Sequence, residues 1–367
     1  MTEFELISTL RLQQIPNIGD VTAKKLIAHC GSANAIFEDK VQNLLKIDGI
    51  GQFTLKNLHD AAYLEAAQLE LDFIKKNNLE VVTFNDVAYP SYLKHCIDSP
   101  IILFKKGNID LENRKIIGVV GTRNITSYGS AFCEKLIEDL APLNPIIVSG
   151  FAYGVDICVQ KAAIKHGLQT IGCLAHGLNQ IYPKAHAKYV KDVEKNGGFY
   201  TEFWSTSNPE RENFLKRNRI IAGMSEATIV IESAEKGGSL VTADIANSYH
   251  RDVFAVPGRA EDKYSTGCNN LIKQQKAHML TSAADLIYLL GWELEDNKTK
   301  TVQKQLFIDL DEDEQKIYTY LQKSGKQLLD SIALDCKMPI FKISATLLNM
   351  EMKGVIRPLP GKLFEAL

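Results

Sequence analysis

The sequence predicts an α/β chain whose centre is a Rossmann-like, doubly wound, largely parallel sheet. An N-terminal helical module of helix-hairpin-helix (SAM-like) type precedes it and a C-terminal winged helix follows. Three observations carry this. From Leu79 to about Leu290, short apolar runs alternate with helical periods, as in repeated β-α units. Three of those runs lead straight into a glycine-bearing loop and then a helix. After residue 313, three helical periods precede two short runs spaced like a hairpin.

The module at 1–78 contains a short repeat. Ile15-Pro-Asn-Ile-Gly19 precedes Val21 to Ile27, and Ile47-Asp-Gly-Ile-Gly51 precedes Phe53 to Leu58. Each copy reads as a tight turn opening an amphipathic helix. Paired hairpins of this kind point helix N-terminal amides at a phosphate, and a purely structural helical bundle fits the pattern equally well. Neither loop carries Lys or Arg.

In the central domain, 79–290, the strands fall at Glu80 to Phe84, Ile101 to Phe104, Lys115 to Val120, Ile146 to Ser149, Thr170 to Leu174, Ala227 to Glu232 and Asp252 to Val256. Helices are expected near Gly129 to Leu140, Val155 to His166, Ala185 to Asn196 and Leu240 to Ser248. Residues 291–313, polar and then acidic with almost no periodicity, read as a linker. Within 314–367, helices at Gln315 to Leu321, Leu328 to Asp335 and Pro339 to Met352 precede a hairpin-like Gly354 to Phe364.

Composition restricts the function classes. The 367 residues are 45% hydrophobic and 23% charged, as in ordinary globular proteins, and a formal charge of −2 excludes coating of nucleic acid by bulk electrostatics. Phosphate binding therefore has to be local. The first residues lack a basic run before an apolar stretch, and no apolar run approaches about 18 residues, so neither a signal peptide nor a membrane span is read and a cytoplasmic location is expected. Seven scattered cysteines without a C-x-x-C pair suit reduced, buried thiols.

The three glycine loops are Gly121-Thr122-Arg123 with its continuation to Gly129, Ser149-Gly150-Phe151-Ala152-Tyr153-Gly154, and Glu235-Lys-Gly237-Gly238-Ser239 running on to Thr242. In an open parallel sheet such loops gather at the carboxyl ends of the strands, where ligands bind. Glycine lets backbone amides approach an anion, and the following helix N-terminus adds positive partial charge. Together they predict a phosphate track. The spacing matches neither a Walker loop nor G-x-G-x-x-G, so nucleotide hydrolysis and a nicotinamide cofactor are not indicated, and no cofactor is expected.

The densest basic cluster is Arg211-Glu-Asn213-Phe214-Leu-Lys216-Arg217-Asn218-Arg219. Cations beside an aromatic ring and side-chain amides suit a single strand, whose phosphates need charge and whose unpaired bases offer faces for stacking. Arg123, inside the first loop, and Lys184 are further phosphate ligands in this reading. For catalysis, Asp156, Glu202, Glu232, Asp244 and His176 are candidates, yet no spacing makes any two partners. Asp156 and Asp244 read as first-turn carboxylates that stabilise helix dipoles. His166, His186, His250 and His278 suggest no metal site.

These residues resemble the bacterial DNA-processing protein A (DprA, Smf) family. Asn213-Phe-Leu-Lys-Arg-Asn-Arg-Ile-Ile-Ala-Gly-Met-Ser225 is similar to the family's most recognisable block. Gly121-Thr-Arg123, Ser149-Gly150 with Gly154-Val-Asp156, Tyr182-Pro183, Gly238-Ser-Leu-Val-Thr242 and Val256-Pro-Gly258 supply the rest. The resemblance covers nearly the whole chain. It implies a non-catalytic protein of natural transformation that binds and shields incoming single-stranded DNA and helps load the RecA recombinase. The positions it implies for the strand are Arg123 with its loop, Lys184 and Phe214 to Arg219, with a homodimer formed through roughly Cys268 to Leu290. Departures are Thr201-Glu202 where the family often has Ser-Glu, and Gln274 to Lys276 in place of a Gly-Ala ending. The latter bears on the dimer face.

Two other readings compete. A phosphoribohydrolase-like enzyme would use a P-G-G-x-G-T-x-x-E loop, which Gly237-Gly238-Ser239 and Asp244 partly match, although Leu240 and Val241 replace its second Gly-Thr pair. A transcription regulator would use the winged helix, residues 314–367, as its DNA-binding part and the Rossmann-like core to sense a nucleotide. From Lys316 to Leu367 that module has eight Lys or Arg against four Asp or Glu, a net of +4, compatible with duplex DNA or a protein partner.

Overall fold

The computed structural model describes residues 1–292, 310–359 and 363–366. The chain divides after Leu294 into two compact units.

The first unit is built on a nine-stranded sheet. Its strands are β1 (Glu80–Thr83), β2 (Ile102–Gly107), β3 (Ile116–Val120), β4 (Ile146–Ser149), β5 (Thr170–Cys173), β6 (Gly197–Thr201), β7 (Ala227–Val230), β8 (Asp252–Ala255) and β9 (His278–Met279). The spatial order is β1-β2-β6-β5-β4-β3-β7-β8-β9. Pairing is parallel from β6 to β9, while β1 pairs antiparallel with β2 and β2 with β6. Strands β3, β4, β5 and β7 are buried on both faces, which is why they read as unbroken apolar runs rather than as alternating ones.

From β3 the chain winds one way through β4, β5 and β6, then returns to the other side of β3 with β7 and β8. This reversal makes the carboxyl ends of β4, β3 and β7 a topological switch point, where ligands bind in doubly wound sheets. Apolar clusters cover both faces. One includes Met224, Ala243 and Ala246, and the other includes Ile137, Val159 and Leu286.

The sequence pattern missed β6 and β9 and blurred one helix. β6 starts Gly197-Gly198, which reads as a turn, yet a Cβ at Gly198 would meet the carbonyl of Lys106 on β2. Glycine is needed for that close approach. β9 has only two residues. The expected helix Ala185 to Asn196 is split into a 3-10 turn, Lys184–Tyr189, and a short α-helix, Val190–Lys195.

The N-terminal helices pack on the β1-β2-β6 side, and Leu10, Leu26, Leu71, Phe104 and Trp204 share one core. The first repeat opens helix Asp20–Cys30 with Gly19 as N-cap, and the second opens only the four-residue helix Gln52–Leu55. The first helix N-terminus is directed at the protein itself, since the Asp20 carboxylate accepts the amide of Ile101 at 2.9 Å and pairs with Arg219 at 3.1 Å. Of the two readings of the repeat, this contact fits the structural bundle.

Most of the expected linker, 291–313, lies outside the described residues. Its described ends are already structured. Trp292 is buried and donates to Glu226 at 3.2 Å, and Asp311 forms a capping box with Glu314 at the start of helix Glu312–Ser324. The second unit continues with helices Leu329–Asp335 and Ile340–Met352 and a three-stranded sheet: β10 (Gln327–Leu328), β11 (Ile356–Leu359) and β12 (Leu363–Ala366), in the order β10-β12-β11. That is the arrangement of a winged helix, with its own core of Ile317, Leu321, Ile332, Ile343, Leu347 and Met350.

Candidate nucleic-acid interface

The three glycine loops lie side by side on one rim, following β3, β4 and β7, and they are bonded to one another. The amide of Thr122 donates to the carbonyl of Glu232 at 2.7 Å, and the amide of Val155 donates to the carbonyl of Thr122 at 3.1 Å. Gly154 makes the second contact sterically feasible. Its φ is +78°, and a Cβ there would run into the carbonyl of Thr122 and the backbone of Arg123.

A cavity of about 560 Å³ opens between these loops and helix Arg211–Met224. Gly121, Thr122, Arg123, Ala152, Phe214, Arg217, Asn218, Gly237, Gly238, Ser239 and Thr242 line it. So eleven of the eighteen expected positions come together. Arg123 is exposed, and its guanidinium lies 5.0 Å from the centre of the Phe214 ring; the Tyr182 ring meets Phe214 at 5.8 Å, tilted by 64°. A cation next to an accessible pair of aromatic rings offers a phosphate partner and a stacking surface together.

Arg217 is a floor residue. It is 4% exposed and donates to the carbonyls of Gly150, at 2.7 Å, and Cys173. Asp156 lies beside it under Gly150, where a Cβ would meet both side chains. Burial pushes the Asp156 carboxyl above the usual carboxylate range, against the pull of Arg217 and the amide of Ala152. Asp156 is thus a buried carboxyl that accepts from the amide of Ala152 at 3.3 Å, as well as a first-turn carboxylate.

The other seven expected positions stay outside the cavity lining. Gly150, Phe151 and Gly154 shape the second loop from behind, Phe151 being fully buried against Phe199 and His186. Asn213 donates to the carbonyl of Asn208 at 3.0 Å, and Lys184 is exposed at the start of its 3-10 turn. Lys216 is exposed on the opposite face of the helix from Phe214 and Asn218, and Arg219 on that side is bonded to Glu202, Asp20 and the carbonyl of Asp98. The basic cluster is therefore divided by helical periodicity. The cavity face runs Arg211, Phe214, Leu215, Asn218, Ile221. Arg211, Tyr153 and Tyr182, which lie in the quoted motifs but were not among the expected binding positions, join the lining.

Two of the three helix N-termini behind the loops are occupied by protein carboxylates. Glu232 accepts the amide of Thr126 at 2.9 Å and the Thr126 hydroxyl, at the head of helix Ser127–Leu140. Asp156 serves helix Val155–Lys165. Helix Gly238–Ser248 differs, presenting Gly237, Gly238 and Ser239 to the cavity with no acidic residue in its first turn. Expectation and structure also part at Asp244, which sits in the second turn of that helix, exposed, and pairs with Lys276 at 3.1 Å.

The remaining titratable candidates are engaged in the scaffold. Glu202 is buried against Arg219, and buried His176 has its Nδ1 2.9 Å from the carbonyl oxygen of Gly177. Asp156 is the single carboxylate on the cavity wall among the described residues, and it is buried, with the amide of Ala152 donating to it at 3.3 Å.

Comparison with known proteins adds a family. Residues 80–291 match the model of the DNA recombination-mediator protein A family, and residues 304–362 match that of the DprA winged helix domain. The DNA processing protein DprA of Bacillus subtilis is 36% identical over 240 residues, 65% of this chain and 80% of that protein. Protein Smf of Synechocystis is 28% identical over the full length of both chains. In three dimensions the chain is similar to DprA from Streptococcus pneumoniae, with a TM-score of 0.64 and 30% identity over 78% of this chain and 98% of that one. It is also similar to DprA from Helicobacter pylori, whose structure concerns a single-stranded DNA binding mode, with a TM-score of 0.52 and 28% identity over 57% of this chain and 95% of that one.

Proposed function

This chain belongs to the DNA recombination-mediator protein A family, and from that premise we propose that it binds single-stranded DNA in the cavity at the β4-β3-β7 rim, without catalysing a reaction on it. The observation that carries this reading is the pairing of Arg123 with Phe214 and Tyr182 at the mouth of a cavity walled by glycine-loop backbone. Backbone amides, the exposed cations Arg123 and Arg211, and partly exposed ring faces suit a phosphate with its unstacked bases. The relative from Helicobacter pylori, named for its single-stranded DNA binding mode, supports the same ligand.

The description of the family as a recombination mediator supports one further step of the proposal, passage of the bound strand to a recombinase. The motif resemblance adds to it that the strand is incoming DNA of natural transformation, that the location is the cytoplasm and that the recombinase is RecA. A homodimer formed through Cys268 to Leu290 is part of it, and exposed Met279, Tyr288 and Leu289 in that segment supply apolar surface for such a contact. No helix among the described residues is long and apolar enough to cross a membrane.

The rival phosphoribohydrolase reading needs Asp244 near the third loop, whereas Asp244 is outside the cavity. In the winged helix, Ile340–Met352 exposes Phe341, Leu348 and Met352, and its Lys342 pairs with Asp313 at 2.5 Å. That surface is poorly matched to duplex phosphates.

The test is fluorescence anisotropy with labelled oligothymidine and the full chain. Arg123→Ala and Phe214→Ala should each weaken binding, Phe214→Ala by about 1–3 kcal/mol if one base stacks on it. Arg123→Ala should also lower the salt slope by about 0.7. Unchanged affinity in both variants would place the strand elsewhere.

A further inference from the structure

A second, open cavity of about 700 Å³ adjoins the first, and Arg123 and Tyr153 line both. Lys161 and Glu134 lie on its far walls. Tyr153, 47% exposed, stands between the two cavities.

The backbone holds Tyr153 there under strain. Phe151 adopts a φ of +56° and Gly154 one of +78°. A non-glycine residue in that region costs about 1–3 kcal/mol and persists only where its surroundings enforce it. Buried His186 does so here, with Nδ1 2.9 Å from the carbonyl oxygen of Phe151. The same imidazole meets the Tyr153 ring edge-on at 5.0 Å and approaches the Tyr189 ring at 6.3 Å. The ammonium groups of Lys161 and Lys188 lie 5.8 Å and 5.0 Å from the centre of the Tyr189 ring. Both lysines are exposed.

Away from the first cavity, then, aromatic rings and cations continue in succession: Arg123, Tyr153, then Tyr189 with Lys161 and Lys188. Glu134 is the opposing charge, outnumbered by Arg123 and Lys161 in the same cavity. An OB fold that binds an unpaired strand covers about 4 to 16 nucleotides, whereas about 560 Å³ is the size of a pocket for one small molecule. We infer that the strand leaves the first cavity across Tyr153 and continues along Tyr189 between Lys161 and Lys188, so that this ridge is a second subsite for single-stranded DNA. The inference rests on the reading that the first cavity holds such a strand.

The experiment compares the full chain with the Lys161→Ala/Lys188→Ala double variant and, separately, Arg123→Ala, using labelled oligothymidines of about 4 and about 16 nucleotides across a salt series. The double variant should bind the short strand like the parent and the long strand several-fold more weakly, with a salt slope lower by up to about 1.4, about 0.7 per lysine. Equal binding of both lengths by the double variant and the parent overturns the second subsite. If Arg123→Ala still weakens both strands in that case, the first-cavity reading stands and only its extension falls. If Arg123→Ala is equally without effect, the first-cavity reading falls as well.

Discussion

Arg217 donates a 2.7 Å hydrogen bond to the carbonyl of Gly150, tying the helix of the basic cluster to the turn after β4. The guanidinium, in a cluster expected to meet phosphates, instead fixes the floor of the cavity. The contact depends on Gly150 having no side chain, because a Cβ there would run into the guanidinium.

Removing Arg217 leaves Asp156 buried without the cation beside it and two carbonyls without a donor. Each buried acceptor left unpaired costs about 1–3 kcal/mol. Arg217→Ala should therefore lower the unfolding free energy obtained from a urea titration by an amount of that order, and a mere loss of DNA affinity in a fully stable protein would contradict the floor role.

Gly154→Ala tests how closely the first two loops approach. Positive φ and the collision with the Thr122 carbonyl would force the loops apart, moving Arg123 relative to Phe214. Weaker strand binding together with a lower melting temperature is expected. Crystallographic coordinates of the variant should show the 3.1 Å bond from Val155 to Thr122 lengthened or lost.

Burial pushes the Glu202 carboxyl up to about 7 from 4.5, despite the neighbouring Arg219, and Asp20 adds repulsion. The folded chain thus keeps this proton to higher pH than the unfolded chain. Stability from this group is complete below about 4.5, declines as the pH rises, and is lost above about 7. Glu202→Gln should flatten the melting temperature across that window; a variant that keeps the parent's slope would assign the dependence to other groups.

Ending the chain after residue 294 removes the winged helix and leaves the first compact unit whole. Strand binding by this shortened chain should stay within a few-fold of the parent's in an anisotropy titration. Its abolition would favour the regulator reading.

Much of this was legible in the sequence. Apolar runs marked β1 to β5, β7 and β8, and of these β3, β4, β5 and β7 are buried on both faces and need no alternation. The glycine loops pointed to the β4-β3-β7 rim because each follows a strand end directly. Long-range pairing was not legible. Glu232 reaches back 106 residues to Thr126, and Asp20 reaches Arg219, so helix ends that looked available to an anion were already filled. The division of the basic cluster was recoverable. Stepping by three and four residues from Phe214 includes Arg211 and Asn218 and leaves Lys216 and Arg219 on another face.

The most direct measurement is photocrosslinking of the full chain to an oligothymidine carrying 5-iodouracil, with adducts located by mass spectrometry. Adducts on Phe214, Tyr182 or Tyr153 are predicted, since these rings line the cavity proposed to hold the strand. Adducts confined to residues 310–366 would contradict the account.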